Sequence, residues 1–159
     1  MRRLVVCLFA AVLAVPAFAV DPGRADGSLT TGAGAIPLAY AYVMDGAHSD
    51  LSGKSDALKI ILTDKPLPAG TRLADVDYSF PDGILGIVVC ADKDNQPQHL
   101  VVQHPQGTYD GGWTDVNRDF RLRMRRTREG TVEGRLTCRR AEKPSVTFAF
   151  DAEFNAVVQ

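Results

Sequence analysis

The residues best suited to chemistry in this sequence are arginines that alternate with apolar residues between positions 119 and 139. Five of them are expected on one face of a strand pair and are named here the arginine ladder: Arg121, Arg123, Arg125, Arg135 and Arg139. A guanidinium group forms paired hydrogen bonds with carboxylates and phosphates, so the ladder suits an anionic ligand. Like charges that face each other across strands are destabilising, so acids are needed to cover this face.

Two sources of acid can neutralise the arginine ladder. Residues 20–117 contain thirteen aspartates and six basic residues, whereas residues 118–140 contain nine arginines and three acids. The two parts of the chain can therefore attract each other within one molecule. The alternative is an external partner, namely an anionic protein, an acidic glycan or a lipid headgroup. We hypothesise that at least part of the ladder is free for such a partner, and the near-neutral total charge argues against nucleic acid.

A second candidate for binding is the aromatic pair in the segment YDGGW, at positions 109–113. We predict that residues 106–117 form a glycine-rich loop on which Tyr109 and Trp113 can stack on a sugar ring or fill a partner's pocket. The alternative is that Trp113 folds back to cap the core, because tryptophan is usually largely buried.

Cysteine usage predicts one disulfide. Once an N-terminal signal peptide is removed, Cys90 and Cys138 are the two remaining cysteines. A bridge between them is expected to join two strands across the core, and closing that loop contributes about 4 kcal/mol in the chain-entropy model. Two buried thiols are the alternative. A catalytic thiol is disfavoured because no histidine is close to either cysteine in the sequence.

Motifs for catalysis or metal binding are not found in the sequence. It has no Gly-x-Ser-x-Gly elbow, no His-Glu-x-x-His pair and no phosphate-binding loop. Three histidines are present, His48, His99 and His104. The last two should face opposite ways on one strand because their spacing is odd, so we expect no metal site and no cofactor. Asp75, Asp77 and Asp82 could supply paired carboxylates to a hydrolase whose residues are assembled from loops.

The first nineteen residues have the three regions of a secretory signal peptide. Arg2 and Arg3 precede an apolar run from position 4 to position 15, and Ala17-Phe18-Ala19 fits a cleavage site. The apolar run is too short to span about 30 Å of hydrocarbon. We therefore predict that residues 20–159 are the mature chain, form a single β domain and are periplasmic or secreted.

Alternation of apolar and polar residues predicts an all-β domain. The clearest case is residues 119–139, where Phe120, Leu122 and Met124 share an inward face, a turn follows at Gly130, and the alternation then resumes. About eight strands are expected at short intervals, with no long helix. This pattern favours a mostly antiparallel β-sandwich or barrel. Residues 71–83 fit either a short helix or an irregular strand.

Five segments carry a resemblance to known proteins: GSLT at residues 27–30, PLAYAYVM at 37–44, DALKIILTDKPLP at 56–68, GTVEGRLTC at 130–138 and VTFAFDAEF at 146–154. In this order they resemble a group of small exported bacterial β-proteins with no assigned function. The resemblance covers nearly all of residues 20–159 and implies the same fold class. None of the five segments is catalytic, so the resemblance implies no particular chemistry.

Three functions are compatible with these observations. The first is a non-catalytic exported binding module that recognises an anionic surface, as an inhibitor or an accessory subunit would. The second is a carrier that encloses a small apolar ligand, and a large apolar-lined interior would favour it. The third is a hydrolase, which a cleft with converging carboxylates or histidines would favour.

Overall fold

A computed structural model describes residues 20–47, 57–81, 83–112, 118–143 and 146–159. It confirms an all-β fold with antiparallel strand pairs. Nine strands are present: β1 (Arg24–Thr31), β2 (Gly34–Ala47), β3 (Ala57–Thr63), β4 (Gly86–Ala91), β5 (Pro97–His104), β6 (Gly107–Gly111), β7 (Arg121–Arg126), β8 (Thr131–Lys143) and β9 (Val146–Val157). The predicted signal peptide, residues 1–19, lies outside the described residues.

The strands form one sheet in the order β6-β5-β4-β3-β2-β1-β9-β8-β7. The expectation of a sandwich or a barrel is therefore corrected: there is a single sheet, and within the described residues its edge strands β6 and β7 are not paired with each other. Bulges in β1, β2 and β8 bend the long strands, so the ends of the same sheet can approach each other. Alternation in the sequence indicates which side chains of a strand point to the core. It does not indicate whether the strands belong to one sheet or to two.

Contacts between distant strands show how far the sheet curls. The ring centroids of Tyr109 in β6 and Phe148 in β9 are 5.1 Å apart, although five strands separate them in the sheet. The guanidinium of Arg126 in β7 reaches the carboxylate of Asp45 in β2, at 2.9 Å. The inner face of the curled sheet thus wraps around one core, although the sheet stays open between β6 and β7 in the described residues.

Aromatic rings fill this inner core. Phe120 stacks on Phe148 and on Phe150, with centroid separations of 6.2 and 5.5 Å. Gly134 faces the same core, and a Cβ there would lie 2.6 Å from the ring of Phe154. The glycine therefore lets β8 and β9 pair closely while the phenylalanine ring covers the space that a side chain would occupy.

A second apolar layer covers the outer face of β3, β4 and β5. Ile61, Val88 and Val101 on these strands pack against the connection between β3 and β4, chiefly through Leu73 and Phe80. This connection, residues 64–85, contains one short 3-10 turn at Leu73–Asp75, where the sequence fitted either a helix or an irregular strand. Every residue of β4 is buried because the core lies on one side of the strand and this layer on the other.

A buried lysine fastens the outer layer to the sheet. Lys59 in β3 is only 1% exposed, and its Nζ donates hydrogen bonds to the carbonyls of Leu73 and Ala74, each at 3.2 Å. The same ammonium forms an ion pair with Asp77. A buried charge is tolerated only when it is paired and hydrogen-bonded, and residues 73–77 supply all of these partners.

The predicted disulfide between Cys90 and Cys138 is wrong. Both residues are buried, but the cysteines are not bonded to each other. Cys138 points into the inner core with Leu136, whereas Cys90 alternates with the inward-facing Val89 and points to the outer face. The prediction failed because β4 is buried on both faces, so the burial of Cys90 did not indicate the side to which it points.

Candidate functional site

The hairpin of β7 and β8 is confirmed, and it places the arginine ladder on its outer face. Arg121 lies opposite Thr137, Arg123 opposite Arg135, and Arg125 opposite Glu133. The backbone N–H of Thr127 donates to the Thr131 carbonyl at 2.9 Å and closes the turn. Gly130 takes a positive φ of 81° in this turn, a conformation that glycine adopts without strain.

Part of the ladder is paired with acids of the protein itself. Arg125 donates to Glu133 through Nε and Nη2, at 3.0 and 2.8 Å. Arg135 forms a two-pronged contact with Asp151 of β9, at 2.8 and 2.6 Å, and also lies 3.6 Å from Glu153. The hydrogen bond from Arg135 lowers the pKa of Asp151 and raises the pKa of Arg135 itself. These two arginines are internally neutralised.

Three other arginines at this surface are not paired in this way. Arg118, Arg123 and Arg139 are exposed, and none of them forms an ion pair with another residue that the structure describes. Arg121 donates through Nη1 to the Phe120 carbonyl at 2.7 Å. The ladder is therefore divided: Arg125 and Arg135 pair with acids of β8 and β9, whereas Arg123 and Arg139 form no ion pair with a described residue.

A bulge in β8 adds to the positive charge. The register with β9 shifts between Cys138 and Ala141, so Arg139 and Arg140 are both exposed although they are neighbours in sequence. Regular alternation would have turned one of them inward. A bulge that redirects side chains in this way is typical of functional edges of sheets. Arg140 bonds to Glu142 at 2.8 Å, whereas Arg139 forms no ion pair with a described residue.

These side chains enclose a cavity of about 650 Å³, named here the arginine groove. It is lined by guanidinium groups, one hydroxyl and one carboxylate: Arg118, Asp119, Arg121, Arg123, Arg135, Thr137, Arg139 and Arg140. A second cavity of about 440 Å³ continues across β9 to β1 and shares Arg135, Thr137 and Arg139 with the first. The groove offers many hydrogen-bond donors and a strong positive charge, which is the chemistry of an anion-binding surface.

The aromatic candidates are not part of this groove. Tyr109 lies in β6, where a loop was predicted, and its ring is 7% exposed in the inner core. The two-residue turn at Pro105 and Gln106 returns the chain beside β5, so the following residues pair as a strand and Tyr109 points inward. That position supports packing rather than ligand contact. Trp113 lies outside the described residues, as do His48 and Asp82.

The structure brings together one polar cluster that sequence reasoning missed. Cys90 in β4 and His99 in β5 are cross-strand partners, and Nε2 of His99 is 3.1 Å from a carboxylate oxygen of Asp110 in β6. The ring of Tyr78 meets His99 edge-on at 5.9 Å. The signal for this cluster was available, because Cys90 and His99 each lie two residues from the segment DKDNQP at positions 92–97, whose composition is typical of a turn.

This cluster has the residue types of a thiol nucleophile and its base, but not their electrostatics. Burial raises the pKa of Cys90 to about 11, even though Lys59 acts to lower it. Burial also lowers the pKa of His99, against the opposing effect of Asp110 and Asp77. A nucleophilic cysteine needs a depressed pKa and partial exposure, so this thiol suits packing in the outer layer.

Other chemistry finds little support over the described part of the chain. His104 faces the opposite side of β5 from His99, as predicted, and its Nδ1 accepts a bond from the Gln106 N–H. No group of three or more His, Cys, Asp or Glu side chains is placed to hold a metal ion, and no helix is long and apolar enough to cross a membrane, within these residues. Comparison with protein-family models, curated proteins and solved structures found no match for this chain.

Proposed function

We propose that the protein is an exported, non-catalytic binding module that holds an anionic partner in the arginine groove. One observation carries the proposal. Arg135 and Arg125 have acids of the same molecule beside them, whereas Arg118, Arg123 and Arg139 line the groove without an ion pair to any described residue. If the ladder served internal pairing alone, the acids of β9 would be expected to cover all of it.

The energetics favour a ligand that carries more than one negative charge. Arg123 and Arg135 face each other directly across the hairpin, and such a pair of like charges is mildly destabilising. An anion placed between β7 and the bulge at Arg139 relieves this repulsion and accepts several charge-assisted hydrogen bonds. The hydroxyl of Thr137 lies in the same groove and can donate a further bond.

Export is part of the proposal and rests on the sequence. The charged start, apolar run and small-residue cleavage site of residues 1–19 support secretion to the periplasm or beyond. The resemblance to small exported bacterial β-proteins agrees with this location. An anionic protein, an acidic glycan or a lipid headgroup can supply the partner there, whereas nucleic acid is not expected in that compartment.

Two other functions have weaker support. A carrier needs room for an apolar ligand, and the inner face is occupied by the stacked rings of Phe120, Phe148 and Phe150. A hydrolase needs an accessible catalytic group, and Cys90 combines deep burial with a raised pKa of about 11. Asp77, one of the carboxylates considered from the sequence, is engaged by Lys59. The accessible chemistry is concentrated in the arginine groove.

The proposal is tested by binding to soluble polyanions and anionic vesicles across a salt series. The probes are poly-L-glutamate, a sulfated glycan and phosphatidylglycerol vesicles, with neutral dextran and phosphatidylcholine vesicles as blanks. We expect binding to at least one anionic probe that weakens steeply with salt. The double variant Arg123→Ser/Arg139→Ser should bind about tenfold more weakly or worse, because each lost hydrogen bond to a charged group contributes about 1.5–3 kcal/mol.

A charge-matched variant separates the groove from general electrostatics. Arg72→Ser/Lys93→Ser removes two positive charges at exposed positions away from the groove and should retain most of the binding. The unfolding free energy of the groove variant should stay within about 0.5 kcal/mol of wild type, since no ion pair is broken. Absence of salt-sensitive binding, together with a marked loss of stability in the groove variant, would show that these arginines serve the fold only.

A further inference from the structure

Strand β7 is an edge of the sheet, and its outward backbone groups can be assigned. Within the described residues it pairs with β8 alone. The backbone N–H of Thr127 donates to the Thr131 carbonyl, and hydrogen-bonded positions recur at every second residue of an antiparallel ladder. The N–H and C=O groups of Arg121, Arg123 and Arg125 therefore point to β8. Those of Leu122 and Met124 point away from it, to the open edge.

The side chains of this edge strand differ strongly between its two faces. Arg121, Arg123 and Arg125 occupy the outer face, whereas Leu122 and Met124 are half-buried against the inner core. The edge strand is thus positively charged on its outer face. On its inner face it carries apolar side chains that are only partly covered. A cavity of about 250 Å³ lies at the Met124 end of this edge and is lined by Met124 and Arg126 together with residues of the turn between β4 and β5.

The protein contains its own example of a strand that matches such a neighbour. In β9, Asp151 and Glu153 alternate with Phe150, Ala152 and Phe154. The two acids meet Arg135 of the adjacent strand on the outer face, and the three apolar side chains enter the core. A strand in which acidic and apolar residues alternate can therefore pair with the arginines of its neighbour on one face and extend the apolar core on the other.

We propose that the anionic partner is an acidic segment of another protein, which binds in extended form as a tenth strand along β7. Its acidic side chains pair with Arg123 and the neighbouring arginines of the groove, as Asp151 pairs with Arg135. Its apolar side chains alternate with the acidic ones and cover Leu122 and Met124. Its backbone forms hydrogen bonds with the N–H and C=O groups of those two residues. This inference rests on the proposed function, because it names the partner of the same groove.

A second copy of this chain does not fit the edge. Pairing β7 with its own copy would set arginines against arginines. The other edge, β6, offers one exposed acid, Asp110, between Tyr109 and Gly111. Charged edge strands commonly prevent pairing between copies, and the arginines of β7 have this effect while they still admit an acidic strand.

Synthetic peptides test the inference. The probe is a fluorescent peptide with the sequence Glu-Val-Glu-Val-Glu between glycine spacers, measured by anisotropy against the full mature chain. Its controls are a peptide of equal composition with the three glutamates in one block, and the alternating peptide with two backbone amides methylated. We expect the alternating peptide to bind about tenfold tighter than either control, because main-chain bonds and alternate side chains both contribute. Arg123→Ser, an exposed substitution, should weaken the alternating peptide most.

The outcomes separate this inference from the proposed function. Equal binding of the alternating, block and methylated peptides would overturn strand addition but leave anion binding in place. Salt-sensitive binding of the sulfated glycan or the anionic vesicles, with no binding of the peptides, would likewise overturn it and identify a different class of partner. Failure of every anionic probe would overturn both proposals.

Discussion

Arg123 of β7 lies directly opposite Arg135 of β8, yet their surroundings differ. Arg135 bonds to Asp151 at 2.6 Å and lies near Glu153, because β9 is its neighbour on the other side. Arg123 belongs to the edge strand and has no strand beyond it among the described residues. Position in the sheet therefore decides which of two opposed arginines is neutralised.

Removing the acid that covers Arg135 should improve anion binding. In Asp151→Asn the guanidinium of Arg135 becomes available to the groove that it already lines. Affinity for poly-L-glutamate is expected to rise about two- to fivefold, while the unfolding free energy should change little, because exposed ion pairs contribute little to stability. Asp45→Asn is the matched control, since it releases Arg126, which does not line the groove. Equal gains in the two variants would mean that net charge, not the groove, controls binding.

Loss of the buried lysine should loosen the outer layer. Lys59→Met keeps the length of the side chain but removes the donor of the Leu73 and Ala74 carbonyls, so a cost of about 1–3 kcal/mol is expected. Amides of residues 71–77 should exchange faster with deuterium. Lys65→Met is the control, because this exposed lysine also donates to a loop carbonyl, that of Gly83. The control should lose less than about 0.5 kcal/mol, and similar losses in both variants would remove the special role of Lys59.

Stability should decrease as the pH falls below about 6.5, the ordinary pKa of histidine. Burial lowers the pKa of His99 and of His104 in the folded state, so the unfolded chain binds protons first. The two neutral histidines contribute fully to the unfolding free energy above their pKa in the unfolded chain. This contribution is lost as the pH falls toward their lower pKa in the folded protein, by at most about 1.4 kcal/mol per pH unit for each histidine. Asp151, whose pKa is lowered, affects only more acidic conditions.

Urea unfolding between pH 7.5 and 5 measures this dependence. The double variant His99→Gln/His104→Gln should show a flatter profile than wild type in that window. Asp110 and Asp77 oppose the effect at His99 because they favour its protonated form. A wild-type profile that stays level down to pH 5 would contradict the assignment of these histidines as buried and neutral.

Cys90 and Cys138 should remain reduced in an oxidising buffer. Cys90 and Cys138 point to opposite faces of the sheet, so no rotation of their side chains can join them. The intact mass of the mature protein should equal that of the reduced form. Alkylation of Cys90 should require denaturant, because its pKa is raised to about 11 by burial. A mass lower by two hydrogens, with both cysteines in one cross-linked peptide, would contradict the arrangement of the strands.

Local alternation was sufficient to predict the hairpin but not the faces of every strand. The alternation of Leu122 and Met124 with Arg123 predicted the orientation of β7 correctly, because only one face of that strand is exposed to solvent. The same logic failed at Cys90, since β4 is covered on both faces by the core and by the β3–β4 connection. That connection has no regular period, so its packing over the sheet left no pattern to detect.

The candidate site was predicted in part for similar reasons. The five ladder arginines do lie at one surface, but their pairing depends on the register that sets Glu153 opposite Arg135 and Asp151 opposite Thr137, and alternation alone does not fix that register. Arg140 was missed because a bulge, and not alternation, exposes it. Tyr109 was misplaced because a segment flanked by Gly107 and Gly111 resembles a loop, although it pairs with β5.

The most direct test of the central claim is an NMR titration that follows the guanidinium Nε–Hε signals of the arginines as poly-L-glutamate is added. Binding in the groove predicts that the signals of Arg123 and Arg139 shift most, that the shifts disappear at high salt, and that Arg126, held by Asp45 outside the groove, changes little. Uniform small shifts over all arginines, or the largest shifts at Arg126 and Arg24, would contradict an anion site between β7 and β8.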